Sequence, residues 1–260
     1  MISWLESLPT ATAGIVVVGG IVFAALAIGY LVEKFTSREV RTAHNDRAGF
    51  ILAVIGVIYA VLLAFVAIGV WERFQQAEMR TYDEAGSLAT VYRDAGSFAG
   101  KVRLRAAIRA YALSVIDDEW PRMHRGDGSP PSNPLLEDAS RDIRALPVPS
   151  ARLSNIQGQM LSAIDTALMD RQTRLTVDSS GINVIMWVAL VAGALVTISF
   201  TYLFGFDKTI MQELMIGGLS FLIALVLFLI VALDYPFRGS IAVPPEAFRA
   251  LIESFNAIGQ

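Results

Sequence analysis

The 260-residue chain is 54% hydrophobic, has a mean hydropathy of +0.53 and carries a formal net charge of −3. Such apolarity lies well above that of an ordinary soluble domain and marks an integral membrane protein, while the small, balanced charge excludes a general nucleic-acid surface. With no cysteine, disulfides, thiolate metal sites and cysteine nucleophiles are excluded as well.

Residues 1–10 hold Trp4 and Pro9, and the tryptophan suits the membrane interface ahead of a first span at about 12–32. No basic residue precedes that span and its apolar core is too long for the middle of a signal peptide, so it is expected to stay as an anchor. Gly14, Gly19, Gly20 and Gly29 within it permit close packing. Three further apolar segments, at about 48–70, 182–204 and 214–233, have the length of a spanning helix. The expected organisation is all-α: an N-terminal transmembrane hairpin over 1–71, a helical soluble insert over 72–181, a second hairpin over 182–233, and an interfacial segment over 234–260. Lys34, Arg38, Arg41, Arg47 and Lys208 flank the spans on one side, against Arg73, Arg80, Arg171, Arg174, Arg238 and Arg249 on the other. The slight excess places the insert and both termini in the cytoplasm.

The second span organises the chain. Positions 48–70 form an uncharged apolar run of 23 residues. Past it, Phe74, Ala77, Thr81, Ala85, Leu88, Tyr92 and Ala95 recur every three or four residues with no intervening proline. One helix of about fifty residues, roughly 75 Å long, is expected to join membrane and insert. At 100° per residue its membrane part has a bulky side, Ile51, Ile55, Ile58, Leu62, Phe65 and Gly69, and a small side, Gly49, Ala53, Gly56, Ala60, Ala64 and Ala67. The small stripe suits close helix packing in lipid. The bulky one, set around a symmetry axis, would form an apolar constriction, which makes Ile55, Ile58, Leu62, Phe65 and Gly69 the candidate pore-lining and gate residues. Against lipid or the first span the same side chains would only fill space.

Within the insert, 98–118 reads as a helix with Val102, Leu104, Ile108, Ala112, Val115 and Ile116 on its apolar face, expected to end at Trp120 and Pro121. Its cations Lys101, Arg103, Arg105 and Arg109 read as a solvated face rather than an anion site. The stretch 126–132 is a loop by composition. Asn133 and Pro134 look like the cap and first position of a short helix stopping before Pro147. A longer helix should start after Ser150, marked by Ile156, Met160, Ile164, Ala167, Leu168 and Leu175. After the last span an amphipathic helix is expected over 245–258, and Asp234, which ends that span, should gain a cation such as Arg171 or Arg174.

Glu84, Ala85, Leu88, Tyr92 and Arg93, then Tyr111, Glu119, Trp120, Pro121 and Met123, then Asp234, Pro236, Phe237, Gly239, Val243 and Pro244 resemble the bacterial bestrophin-like family of membrane proteins. The resemblance covers nearly the whole chain, and its Asp234, Pro236, Phe237 and Gly239 motif is the specific part. It implies similarity to bestrophins, which are oligomeric anion channels with two plus two spans around a helical cytosolic domain. A bacterial inner membrane, a homo-pentamer ahead of a tetramer, surrounding lipid and an inorganic anion as the permeant species follow as expectations. Glu84, Tyr92, Arg93, Trp120, Pro121, Asp234, Pro236, Phe237 and Gly239 would be its structural motif residues. No bestrophin acidic calcium-binding cluster is present, so calcium gating does not carry over.

Enzyme chemistry fits poorly. The two histidines, His44 and His124, are far apart in sequence, no metal-ligand spacing appears, and no glycine-rich loop follows a strand. No cofactor is expected. Coupled transport ordinarily uses ionisable groups within the spans, whereas Glu33, Asp207, Glu213 and Asp234 sit at or beyond their ends. Two readings remain: a homo-oligomeric, anion-conducting channel with the second span lining the pore, and a membrane-anchored scaffold whose insert binds a protein or lipid.

Overall fold

The structure, a computed structural model, describes residues 10–36, 41–42, 45–128, 133–206 and 209–258. Trp4, His44, the loop charges Arg38, Asp207 and Lys208, and positions 129–132 of the expected loop lie outside them. Every regular element among the described residues is a helix. In chain order these are α1 (Thr10–Phe35), α2 (Asn45–Asp94), α3 (Lys101–Ser114), α4 (Trp120–Arg125), α5 (Pro134–Arg144), α6 (Ala151–Ser179), α7 (Val184–Thr201), α8 (Thr209–Asp234) and α9 (Glu246–Ile258). Four of them, α1, α2, α7 and α8, are long and apolar enough to cross a membrane. The chain divides into two compact units, a membrane unit of 1–72, 182–234 and 239–241 and an insert unit of 73–181, 235–238 and 242–260. The helix α2 contributes to both and is unbroken over its 50 residues.

In the membrane unit, close approach is made at glycines. A Cβ on Gly14 would stand 3.0 Å from the Phe228 ring of α8, and one on Gly29 would meet Ile216 at 2.8 Å. Gly19 and Gly20, expected to do the same, have nothing within 4 Å. The tightest notch lies on α7, where a Cβ on Gly193 would come within 2.3 Å of the Tyr59 ring of α2. Tyr59 fills that notch and donates its hydroxyl to the Leu190 carbonyl at 2.9 Å. Asn45 then pins the loop after α7, accepting from the Gly205 N–H at 3.0 Å and donating to its carbonyl at 2.8 Å.

The insert unit has a conventional apolar core. Leu88, Leu104, Ile108, Tyr111, Met123, Leu136, Ile143, Met160, Ile164, Phe248 and Phe255 are buried at helical spacing from six helices. Asn133 caps α5, accepting from Leu135 N–H at 3.0 Å, with Pro134 at the first helical position; Ser150 caps α6 through Leu153 N–H. These starts fall where the sequence puts them. Pro121 does not stop the chain where expected. A π turn, Val115–Glu119, follows α3, and the Trp120 N–H reaches back to the Val115 carbonyl. The wider ring relieves the clash that a proline makes with the carbonyl four residues behind, so helix continues through Pro121 into α4. It stops at Gly126, whose φ of +74° gives the left-handed cap.

Candidate functional site

Two constellations stand out, one in each unit. In the membrane unit, α2 is held to its own chain by a narrow stripe in which Tyr59, Leu63, Val66 and Val70 are buried. The bulky side flanks that stripe: Ile55, Leu62 and Gly69 are half-buried, whereas Ile58 and Phe65 are 67% and 72% exposed. The small side, on the other flank, is also largely uncovered, with nothing within 4 Å of a Cβ built on Gly56. Sequence reasoning counted two faces where the helix has a packed stripe, two flanks and an outer face. That outer face, Phe50, Val54, Val57, Val61 and Ile68, is exposed and recurs at intervals of three, four and seven residues, which was its signal in the sequence.

In the insert unit a chain of charges is buried. Arg174, fully buried on α6, donates to both Glu84 oxygens at 2.9 and 3.2 Å and to Glu119 at 2.9 Å. Arg171 adds a second guanidinium on Glu119, at 2.8 and 3.1 Å, and the Asn133 amide donates to the same carboxylate. Tyr111 donates its hydroxyl to Glu84. The Arg174 guanidinium also lies 5.1 Å from the Trp120 ring centroid. Burial pushes the Glu119 carboxyl up, but the Arg174 and Arg171 guanidiniums more than offset it and hold it below the usual carboxylate range. Burial likewise drives the Tyr111 phenol well up, helped by the Glu84 charge. The π turn supports this network, because Glu119 is its last residue.

The remaining motif residues surround that centre or lie at its edge. Trp120 donates its indole N–H to the Val243 carbonyl at 3.0 Å, and Phe237 sits edge-on to its ring at 5.5 Å. The buried Pro236 accepts from Val243 N–H at 2.7 Å. Gly239 has a φ of +73°, which turns the chain after the motif. Tyr92, buried, stacks on Phe255 at 3.8 Å, under the Arg105 guanidinium. Arg93 and Pro121 are exposed. Asp234 accepts from the Ile182 N–H at 2.7 Å, and Arg174, one of the two cations expected to serve it, is bound instead to Glu84 and Glu119. Of the basic run on α3, Arg103 pairs with Asp142 and Arg109 with Asn256, which fits an ordinary charged face.

Sequence reasoning missed Asp170 and Asp178. Both are buried on α6, Asp170 paired with Arg80 at 3.1 Å and Asp178 facing Arg238 at 3.8 Å. With Arg174 they form a four-residue repeat on the same side as Ile164, Ala167 and Leu175. Charges at core positions of an amphipathic helix were the available signal.

These features define an all-helical integral membrane protein with four candidate spans and a helical extramembrane unit. The chain belongs to the Bestrophin-like domain family, whose model matches residues 19–248. Solved structures share the fold. A leucine-to-threonine variant of a bacterial bestrophin homologue from Klebsiella pneumoniae is 13% identical, with a TM-score of 0.66 over 92% of this chain and 99% of that one. A tyrosine-to-alanine variant of a bestrophin homologue from the same organism is 14% identical, with a TM-score of 0.66 over 95% and 98%. A membrane protein carrying a proline-to-alanine change gives 13% and 0.67 over 97% and 100%. No curated protein matches the chain.

Proposed function

We propose that the protein is a homo-oligomeric ion channel of a bacterial inner membrane, with the membrane part of α2 lining a central pore and an apolar constriction as its gate. The observation that carries the reading is the exposure of Ile58 and Phe65 on a helix whose other side is firmly packed. The bestrophin homologues sharing the fold support it. The described span cores hold no Asp, Glu, Lys, Arg or His, so a conducting path would run on a symmetry axis between copies. Five copies are preferred and four are the alternative, with the insert in the cytoplasm. An anion as permeant species is what the resemblance to bestrophins implies, and no residue of α2 adds to it.

The test is recording from the purified full chain in a planar bilayer. Stepwise currents are expected, and Phe65→Ser should raise the resting current by wetting the constriction while the assembly survives. Silence at all voltages would overturn the channel reading. A loss of stability with unaltered currents would make Phe65 a packing residue. The scaffold reading has one observation in its favour, a polar groove of about 380 Å³ on the insert unit, lined by Arg80, Asp83, Ser87, Thr90, Thr166 and Asp170.

A further inference from the structure

The polar groove on the insert unit has no part in conduction. Arg80, Asp83, Ser87 and Thr90 recur at three or four residues along α2, and Ala163, Thr166 and Asp170 do the same along α6, so each set keeps to one side of its helix. Between the two sets lies the groove of about 380 Å³, toward the small end of the range for small-molecule sites. Small residues make the space: Ala163 lines it, and a Cβ built on Gly86 would meet nothing within 4 Å. Tyr82, half-exposed, adds an aromatic wall.

The lining has more acceptors than donors. Asp170, only 3% exposed, gives Oδ1 to the Arg80 guanidinium at 3.1 Å, while its Oδ2 is buried with no hydrogen-bond partner among the described residues. Asp83, half-exposed, lies 3.8 Å from the same Arg80 nitrogen, too far for a hydrogen bond. Thr166 spends its hydroxyl proton on the Ser162 carbonyl of its own helix, so toward the groove it can only accept. Two carboxylates against one guanidinium leave the lining with a net negative charge. A buried carboxylate oxygen without a donor is costly, and a cation bearing several N–H groups answers it best. A metal ion fits less well, because Arg80 already stands against both carboxylates and no group of three or more acidic, histidine or cysteine side chains among the described residues could hold one. We infer that the groove binds a small organic cation through its N–H groups, an aliphatic primary ammonium, with Asp170 as its main acceptor and Asp83 and Thr166 beside it.

The test is calorimetric titration of the purified full chain in detergent at neutral pH, with three probes of one carbon skeleton. Diaminobutane carries both charge and N–H groups, butanediol has no charge, and the fully N-methylated diammonium has the charge without the N–H. Only diaminobutane should bind saturably. This comparison uses the unaltered chain and so does not depend on any variant folding. Asp170→Asn keeps the shape of the side chain and should weaken binding by roughly tenfold or more, the loss of a charge-assisted hydrogen bond at a buried acceptor. Asp83→Asn, at a more exposed position, should weaken it by roughly threefold. Arg80→Gln removes the competing positive charge and should tighten binding by roughly threefold. A thermal unfolding transition in detergent checks each variant. Equal binding of either control probe, an Asp170→Asn chain that binds as the parent does, an Arg80→Gln chain that binds more weakly, or no saturable heat with diaminobutane would each overturn the inference. No current enters the measurement, so either result leaves the channel reading where it stands.

Discussion

The two units solve the same packing problem by opposite means. In the membrane unit helices meet by shape, with the Tyr59 ring in the notch of Gly193 and Phe228 over Gly14. In the insert unit an apolar core encloses two buried arginines and two buried glutamates in mutual contact. Lipid offers little hydrophobic drive for helix association, so close fit decides it. Water supplies that drive to the insert, and its buried ions then serve to fix one arrangement of helices, since a satisfied ion network adds little net stability over hydrocarbon.

The strongest way to break this comparison is Arg174→Met. It leaves Glu84 and Glu119 buried with a cation removed, and unfolding of the purified chain by denaturant should show a loss of about 3–5 kcal/mol. Adding Glu84→Gln should recover part of it. A loss below about 1 kcal/mol would mean that the network is incidental to the insert. Next in size is Gly193→Ala, which drives a methyl into the Tyr59 ring and should destabilise the membrane unit by about 1–3 kcal/mol. An equal penalty in a Tyr59→Ala background would show that the notch is not the cause.

A smaller effect appears only against pH. Burial raises the Asp170 carboxyl above its ordinary value; Arg80 opposes the rise and Asp83 adds to it. A folded pKa above the unfolded one gives a stability contribution that is complete below the ordinary carboxylate range and fades as pH rises through the raised value. Asp170→Asn cannot ionise, so its stability should gain on the parent chain between acid and neutral pH. Parallel stability curves for the two would refute the assignment. Smallest is Tyr59→Phe, which loses one hydrogen bond in lipid and should cost about 0.6 kcal/mol, read from thermal unfolding in detergent.

Much of this was legible because period and punctuation are local signals. The long α2, the caps at Asn133 and Ser150 and the C-terminal helix follow from residues a few positions apart. The Glu84, Glu119, Arg171 and Arg174 network was visible only in pieces, the glutamates as motif residues and the arginines as cations expected near Asp234, because the pairing of Glu84 with Arg174 spans 90 positions and depends on how α2 meets α6. The continuation of helix past Pro121 was hidden for another reason. A proline is read against an α-helical register, and the register changes just before it.

That change of register also bears on how the chain can vary in length. Insertion or deletion of one residue inside an ordinary helix rotates everything beyond it by about 100°, which would carry Trp120 away from Phe237 and Glu119 away from its arginines. The π turn already holds the extra residue, and its middle, Asp117 and Asp118, faces solvent. Removing Asp117 would close the wide ring to a regular α-turn and bring the Pro121 ring against the carbonyl four residues behind it. The extra residue of the turn is therefore what lets the helix pass Pro121 while Glu119 and Trp120 keep their partners.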